Sequence, residues 1–74
     1  MAFALDRAES VDLTIYDVAG RRVATLAAGT LPAGRHVRAW NGRDAAGRLQ
    51  PAGVYFYRLR SASHDAVQRL MLLR

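Results

Sequence analysis

Several stretches of this 74-residue chain hold residue types that carry chemistry in other proteins. Ser63-His64-Asp65 contains a nucleophile, a base and a carboxylate. A relay needs the three groups to converge, whereas neighbours on an extended chain point to opposite sides, so the triplet reads as a polar hairpin turn. Gly42 to Gly47 has the Gly-x-x-x-x-Gly spacing of a phosphate-cradling loop. The lysine and Ser/Thr that should follow are replaced by Arg48 and Leu49, and no helix comes after them. Asn41 and Asp44 supply far fewer oxygens than a calcium ion takes, so Asp44 reads as a cap on backbone amides. His36 and His64 are too few for a histidine-based metal site. Tyr55, Phe56 and Tyr57, with arginines nearby, have the composition of a base-stacking platform, yet on a central strand they read as core. The residues therefore offer no catalytic, cofactor-binding or metal-binding set, and the expectation is a protein that is not an enzyme.

The elements that would position these residues are strands. The stretch from Trp40 to Leu59 is expected to be the centre of the core, because four of the six aromatic residues lie in it and aromatics bury the most area per side chain. Ala2 to Arg7 reads as a short first strand with Phe3 and Leu5 on one face. In Val11 to Asp17, Val11, Leu13 and Ile15 point one way and Asp12, Thr14 and Tyr16 the other, predicting a strand with one wetter face. Asp17 to Gly20 supplies a turn. A strand follows from Arg21 to about Ala27, where Val23 and Leu26 stand three apart and point to a bulge or an irregular end. Gly29 to Gly34, with Pro32, interrupts the pattern. Arg35 to Trp40 reads as a strand with His36, Arg38 and Trp40 on one face, placing Arg38 either stacked on the tryptophan or reaching water from an edge. Asn41 to Gly53 is the longest irregular connection, with Leu49 expected to plug the end of the core and to cover Trp40 and Tyr55. Val54 to Ser61 is apolar on both faces and reads as a central strand; Val67 to Leu73 is the last. Strands at roughly ten-residue spacing, with no helical period, predict an all-β sandwich or barrel of six to seven antiparallel strands in two sheets.

Composition bounds the function without naming it. The length predicts one domain over residues 1–74, near the lower limit for an independent core. The chain has no cysteine, so neither disulfides nor thiolate metal sites contribute. The net charge of +5 comes from eleven arginines against six acids, with no lysine. The arginines are scattered apart from the Arg21-Arg22 pair, so nucleic acid is not the expected partner. No apolar stretch approaches the ~20 residues of a membrane-spanning helix, and residues 1–10 lack the basic start and long apolar centre of a signal peptide.

Two motifs are similar to those of a known family. Tyr16-Asp17-Val18-Ala19-Gly20-Arg21-Arg22-Val23-Ala24-Thr25-Leu26 resembles the "YDxxGRxVxxL" pattern of FlgD-type immunoglobulin-like domains, named for the flagellar hook-capping protein. Leu31 to Gly34, Trp40-Asn41-Gly42-Arg43-Asp44, Gly47 and Gly53-Val54-Tyr55-Phe56-Tyr57-Arg58-Leu59 resemble its second pattern, "G…WDGxDxxGxxxxxGVYFYRL". Asn41 departs from the usual aspartate, and Arg38 stands at a commonly apolar position. The ending Arg69 to Arg74 is similar to the last strand of such domains. The resemblance implies a small immunoglobulin-like β-sandwich without catalytic residues or cofactor, whose Tyr16, Asp17, Gly20, Trp40, Asn41, Gly42, Asp44, Gly47, Gly53 and Tyr55 build the fold. Closely similar domains end many secreted bacterial proteins and resemble sorting domains of type IX secretion. The resemblance thus implies a C-terminal module of a longer secreted or cell-surface protein, taken up by a secretion or assembly machinery or packed on the parent chain's own domains. Leu70, Met71, Leu72, Leu73 and Arg74 are the candidate recognition strand. Its flagellar hook branch and an arginine surface for nucleic acid or anionic glycan are the alternatives.

Overall fold

The computed structural model describes residues 1–73, so Arg74, the last residue of the candidate recognition strand, lies outside the described residues. Alternation of apolar and polar side chains makes the second strand the backbone of the fold. Six strands follow one another: β1 (Ala2–Leu5), β2 (Glu9–Tyr16), β3 (Arg22–Leu31), β4 (Gly34–Val37), β5 (Gly53–Ser61) and β6 (Asp65–Leu72). They form a four-stranded sheet in the order β3-β2-β5-β6 and a two-stranded ribbon of β1 and β4, all antiparallel. This is a small immunoglobulin-like β-sandwich.

Val11, Leu13 and Ile15 project from β2 between the two sheets and are all but sealed from water. One group of buried side chains, with Leu5, Val11, Leu13 and Leu59, lies towards the ribbon. The other, with Ile15, Val23, Ala24 and Tyr55, lies under Trp40. Met1, Leu26 and Tyr57 pack against both groups. The centre of burial is therefore β2 rather than the stretch from Trp40 to Leu59: β5 is as central and buries Tyr55 and Leu59, but residues 41–52 of that stretch form an irregular connection outside the sheet. Thr14, expected on a wetter face, is only 1% exposed. It sits on a central strand between Thr25 and Arg58, and its hydroxyl donates to Asp12.

Of the bulge or irregular end expected from Val23 and Leu26, the structure has the bulge, and twice. The register steps from Ala27 to Thr25 and again from Ala24 to Arg22, leaving Leu26 and Val23 as the extra residues. Each bulge sets a second side chain beside an inward-facing alanine, which is how a spacing of three fills the core. Beyond these points β3 continues to Leu31, so the interruption is confined to Pro32 and Ala33 rather than spanning Gly29 to Gly34.

The strand expected from Arg35 to Trp40 is shorter. β4 ends at Val37, Arg38 still exchanges backbone hydrogen bonds with Met1, and the chain then leaves the ribbon so that Trp40 can turn towards Tyr55. The Arg38 guanidinium returns to the Val37 carbonyl at 2.9 Å. This is the edge-strand outcome, without stacking on the tryptophan.

Candidate functional site

The polar triplet folds more tightly than its sequence suggested. The Ser61 amide donates to the His64 carbonyl and the His64 amide to Ser61 Oγ, closing the β5–β6 hairpin. Within it Ser63 Oγ lies 2.9 Å from His64 Nδ1 and donates to Glu9 Oε1 at 2.7 Å. Neighbours in this turn thus do meet, contrary to the expectation from an extended chain. The direction of the bonds still opposes a relay. The single hydroxyl proton goes to Glu9, whereas a nucleophile must give its proton to the imidazole. Glu9 crowds that same nitrogen at 3.7 Å, and Asp65 is turned away, bound through both oxygens to Arg58 at 2.9 and 2.8 Å. Hydrogen bonds from Ser63 and Ser61 hold the Glu9 carboxyl below its usual range. Glu9 belongs to no local motif, since it stands 54 residues from Ser63.

Asp17 and Asp44 build the same turn. One Asp17 oxygen accepts the amides of Ala19 and Arg21, both at 2.9 Å, while the other faces Arg21 Nε at 3.1 Å. Asp44 repeats this with Ala46, Arg48 and Arg48 Nε at 3.0, 2.9 and 3.2 Å. Gly20 and Gly47 close the turns with φ of 81° and 84°, a region where a side chain is strained. In both carboxylates the pKa is lowered, first by the amide of the arginine four residues on, against partial desolvation, then by the alanine amide and the arginine's charge. The shared spacing Asp-x-Ala-Gly-Arg is visible in the sequence at 17–21 and 44–48 and is the signal that would have revealed the repeat.

Trp40 and Tyr55 meet edge to face, with ring centroids 4.9 Å apart. The indole nitrogen donates to the Arg43 carbonyl at 2.8 Å, and the Tyr55 hydroxyl to the Pro51 carbonyl at 2.7 Å. Asn41 Oδ1 accepts the Arg43 amide, the Gly42 carbonyl accepts the Gln50 amide, and Gly53 opens β5. Leu49 does not plug the core. It pairs with Arg43 in an isolated bridge and is 57% exposed, because the short excursion around Asp44 turns it outward.

The last strand pairs with β5 alone, so its other edge is open. Leu70 and Leu72 pack on the core, while Met71 is 59% exposed and Leu73 lies beyond the strand. The register is unbroken from Gly53–Leu72 to Arg60–Asp65. Since the Ser61–His64 pair is hydrogen-bonded, alternation places the amides of Val67, Arg69 and Met71 towards the open edge. On the sheet face away from the ribbon, Arg22, Tyr16, Phe56 and Arg69 form one row across all four strands. Among the described residues no group of His, Asp or Glu could hold a metal ion, and no helix is long and apolar enough to cross a membrane.

Comparison with known proteins agrees with this architecture. The profile of the FlgD Ig-like domain matches residues 2–65, and the chain belongs to that family. Neither the curated proteins nor the solved structures give a significant match. The family match supports the hook-capping branch of the resemblance; nothing in the comparisons supports the type IX sorting branch.

Proposed function

We propose that this domain is a non-catalytic assembly module, related to the flagellar hook-capping domains, that works outside the cell by holding its parent protein to a protein partner. The docking element is the open edge of β6, where a partner strand adds to the sheet. One observation carries the reading: β6 is the regular edge of the four-stranded sheet. The opposite edge, β3, is bent by two bulges, a device that blunts strand addition. β6 has none over eight residues, and its exposed amides supply the main-chain bonds of such docking. Secretion targeting would use the same edge, but no feature of the domain favours that finer role.

The test is a selection of strand-forming peptides from a random display library on the 74-residue chain, followed by Met71→Pro. Proline there removes an amide that faces the open edge and spares the ladder to β5. Loss of peptide binding with an unchanged circular dichroism spectrum is the expected result. Undiminished binding by Met71→Pro, or a library that yields no binder, would overturn the reading.

A further inference from the structure

The open β6 edge lacks the guards that keep sheet edges apart. Its strand has no proline, and no bulge bends it. Ala66, Gln68 and Leu70 point to its inner face, opposite Leu59, Tyr57 and Tyr55. None of the three is charged, so no inward-pointing charge blocks the edge. The two charges of β6, Asp65 and Arg69, stand on the outer face opposite Arg60 and Phe56, with Val67 midway between them.

That spacing is complementary to itself. In an antiparallel pair, residues whose amides turn outward meet residues that do the same. A second β6 therefore brings its own Asp65, Val67, Arg69 and Met71 opposite these four. A two-fold axis through Arg69 sets the two arginines together. One through Gln68 sets Arg69 against Val67 and Asp65 against Met71, and one through Ala66 leaves Arg69 beyond the second strand. With the axis at Val67, Asp65 of each copy faces Arg69 of the other. The two Val67 side chains, each 59% exposed, then meet between these pairs. Charges alternate in one row across the join: Arg69, then Asp65, Arg60 and Asp12 of the second copy. Arg69 enters no ion pair with a described residue. Asp65 accepts one bond from Arg58 on each oxygen, which leaves lone pairs for a second cation, and its side chain is 56% exposed.

We propose that the strand taken up by the β6 edge is β6 of a second copy of this chain, added antiparallel about a two-fold axis at Val67. Two four-stranded sheets then become one of eight strands. The inference rests on the reading that β6 is the docking edge, and it names the occupant. Main-chain bonds supply affinity that is indifferent to sequence. The paired Asp65 and Arg69 select the partner and its register, because a strand without acid and base in the opposing order leaves these charges unmatched.

Sedimentation equilibrium decides the point. A strand edge is a small interface, so the wild-type chain should pass from monomer to dimer only as it approaches about 1 mM. Salt at ~0.15 M screens the repulsion between copies that each carry +5. Arg69→Asp and Asp65→Arg each set like charges together at both ends of the join, and each should weaken the dimer about tenfold or more. Mixed one to one, the two variants should recover the wild-type association, because each supplies the charge that the other lacks. Cross-linking tests the register without altering a charge. Opposed residues at the axis have Cα atoms about 5.5 Å apart, within reach of a disulfide. Val67→Cys and Met71→Cys change side chains equally exposed on one face. Under mild oxidation the first should form a linked dimer, and the second should not, since Met71 lies opposite the β5–β6 turn of the other copy. A wild-type chain that stays monomeric at the highest concentration, a dimer indifferent to Arg69→Asp, a mixture that fails to recover, or equal cross-linking at the two sites would overturn the inference. If that monomeric chain still binds displayed peptides and Met71→Pro abolishes the binding, edge docking stands without self-association.

Discussion

Residues 17–21 and 44–48 fold into turns with the same hydrogen bonds, yet they are held in different ways. The first joins β2 to β3, two strands paired over eight registered positions in the main sheet. The second sits within the long connection before β5 and is held mostly by that loop's own hydrogen bonds: the Arg43–Leu49 bridge, the Gln50 amide on the Gly42 carbonyl, the Arg43 guanidinium on the Gly47 carbonyl and the Trp40 indole on Arg43. The Ala45 amide on the Val23 carbonyl ties it to the main sheet. The same five-residue spacing gives the same hydrogen bonds in both places. Local sequence therefore determines the shape of the turn, and the tertiary setting determines what depends on it. The first turn cannot open without parting β2 from β3. The second can open while the sheet persists, as segments with few buried contacts do.

The largest effect should come from removing the support under the second turn. Trp40 meets Tyr55 and carries the Arg43 carbonyl, so Trp40→Ala takes away both a packing surface and an anchor. Truncating a core aromatic costs about 3–5 kcal/mol, and a half-buried residue belongs at the lower end. A domain of this size holds only ~3–5 kcal/mol in total, so the variant should be largely unfolded without urea, as judged by circular dichroism. A cooperative transition near the normal midpoint would show that the loop is not resting on Trp40.

The next test asks whether the two turns are locally equal. Gly20 and Gly47 have nearly the same φ, and an added Cβ would meet no atom within 4 Å at either. Gly20→Ala and Gly47→Ala therefore introduce the same backbone strain, roughly 1–2 kcal/mol, with no clash to confuse the comparison. Urea titration should show the full loss for Gly20→Ala. For Gly47→Ala the midpoint should move less, because local opening of the 41–53 loop relieves the strain. Equal midpoint shifts would mean that both turns belong to one cooperative unit.

Much of this contrast was legible in the residues. Alternation at Val11, Leu13 and Ile15 marked the buried face of β2, and the three-residue step from Val23 to Leu26 marked the bulges. Asp17 and Asp44 were readable as turn formers because their side chains bond amides only two and four positions ahead. What escaped were properties fixed by distant parts of the chain. Thr14 is buried by neighbours on other strands, Glu9 meets Ser63 only after the sheet has formed, and Leu49 faces water because a single bridge decides which way it turns. Hydrophobicity alone gave Leu49 no direction. The aromatic cluster drew attention to β5, which is as central in the sheet as β2, but the stretch that carries the cluster spends residues 41–52 in an irregular connection outside the sheet.

Replacing the capping carboxylates should have a smaller effect, again divided between the turns. Asp17→Ala is expected to lower the urea midpoint more than Asp44→Ala. Hydrogen exchange should report the reverse: Asp44→Ala should speed exchange at Ala46, Arg48 and Gln50, while the β2–β3 amides stay protected. Acid should act on both turns alike. Each carboxylate has a folded-state pKa below its unfolded value, so its contribution is complete above the ordinary carboxylate range and is lost as the pH falls through the lowered value. The loss therefore belongs below about pH 4. Carboxyl carbon shifts followed by NMR should show Asp17 and Asp44 titrating together, beneath the normal range. A wide separation between them would break the equivalence of the two turns.

The smallest effect should follow from the two arginines. Arg21 and Arg48 approach their aspartates at 3.1 and 3.2 Å, yet their side chains are 81% and 79% exposed. Water and salt screen such pairs, and holding a long side chain in place costs entropy, so exposed ion pairs contribute little. The backbone amides of the same residues remain when the guanidinium is removed, and they are the first cause of the lowered carboxyl pKa. Arg21→Gln and Arg48→Gln should therefore leave the urea midpoint within its experimental error. They should raise the Asp17 and Asp44 titrations only part of the way towards the ordinary value, by the same amount in each turn. If either aspartate returned fully to that value, the guanidinium rather than the peptide amides would be setting the turn, and Gly-Arg rather than Asp-x-Ala-Gly would be its determining part. Equal, partial shifts would place the determinant in the backbone geometry that the two segments share.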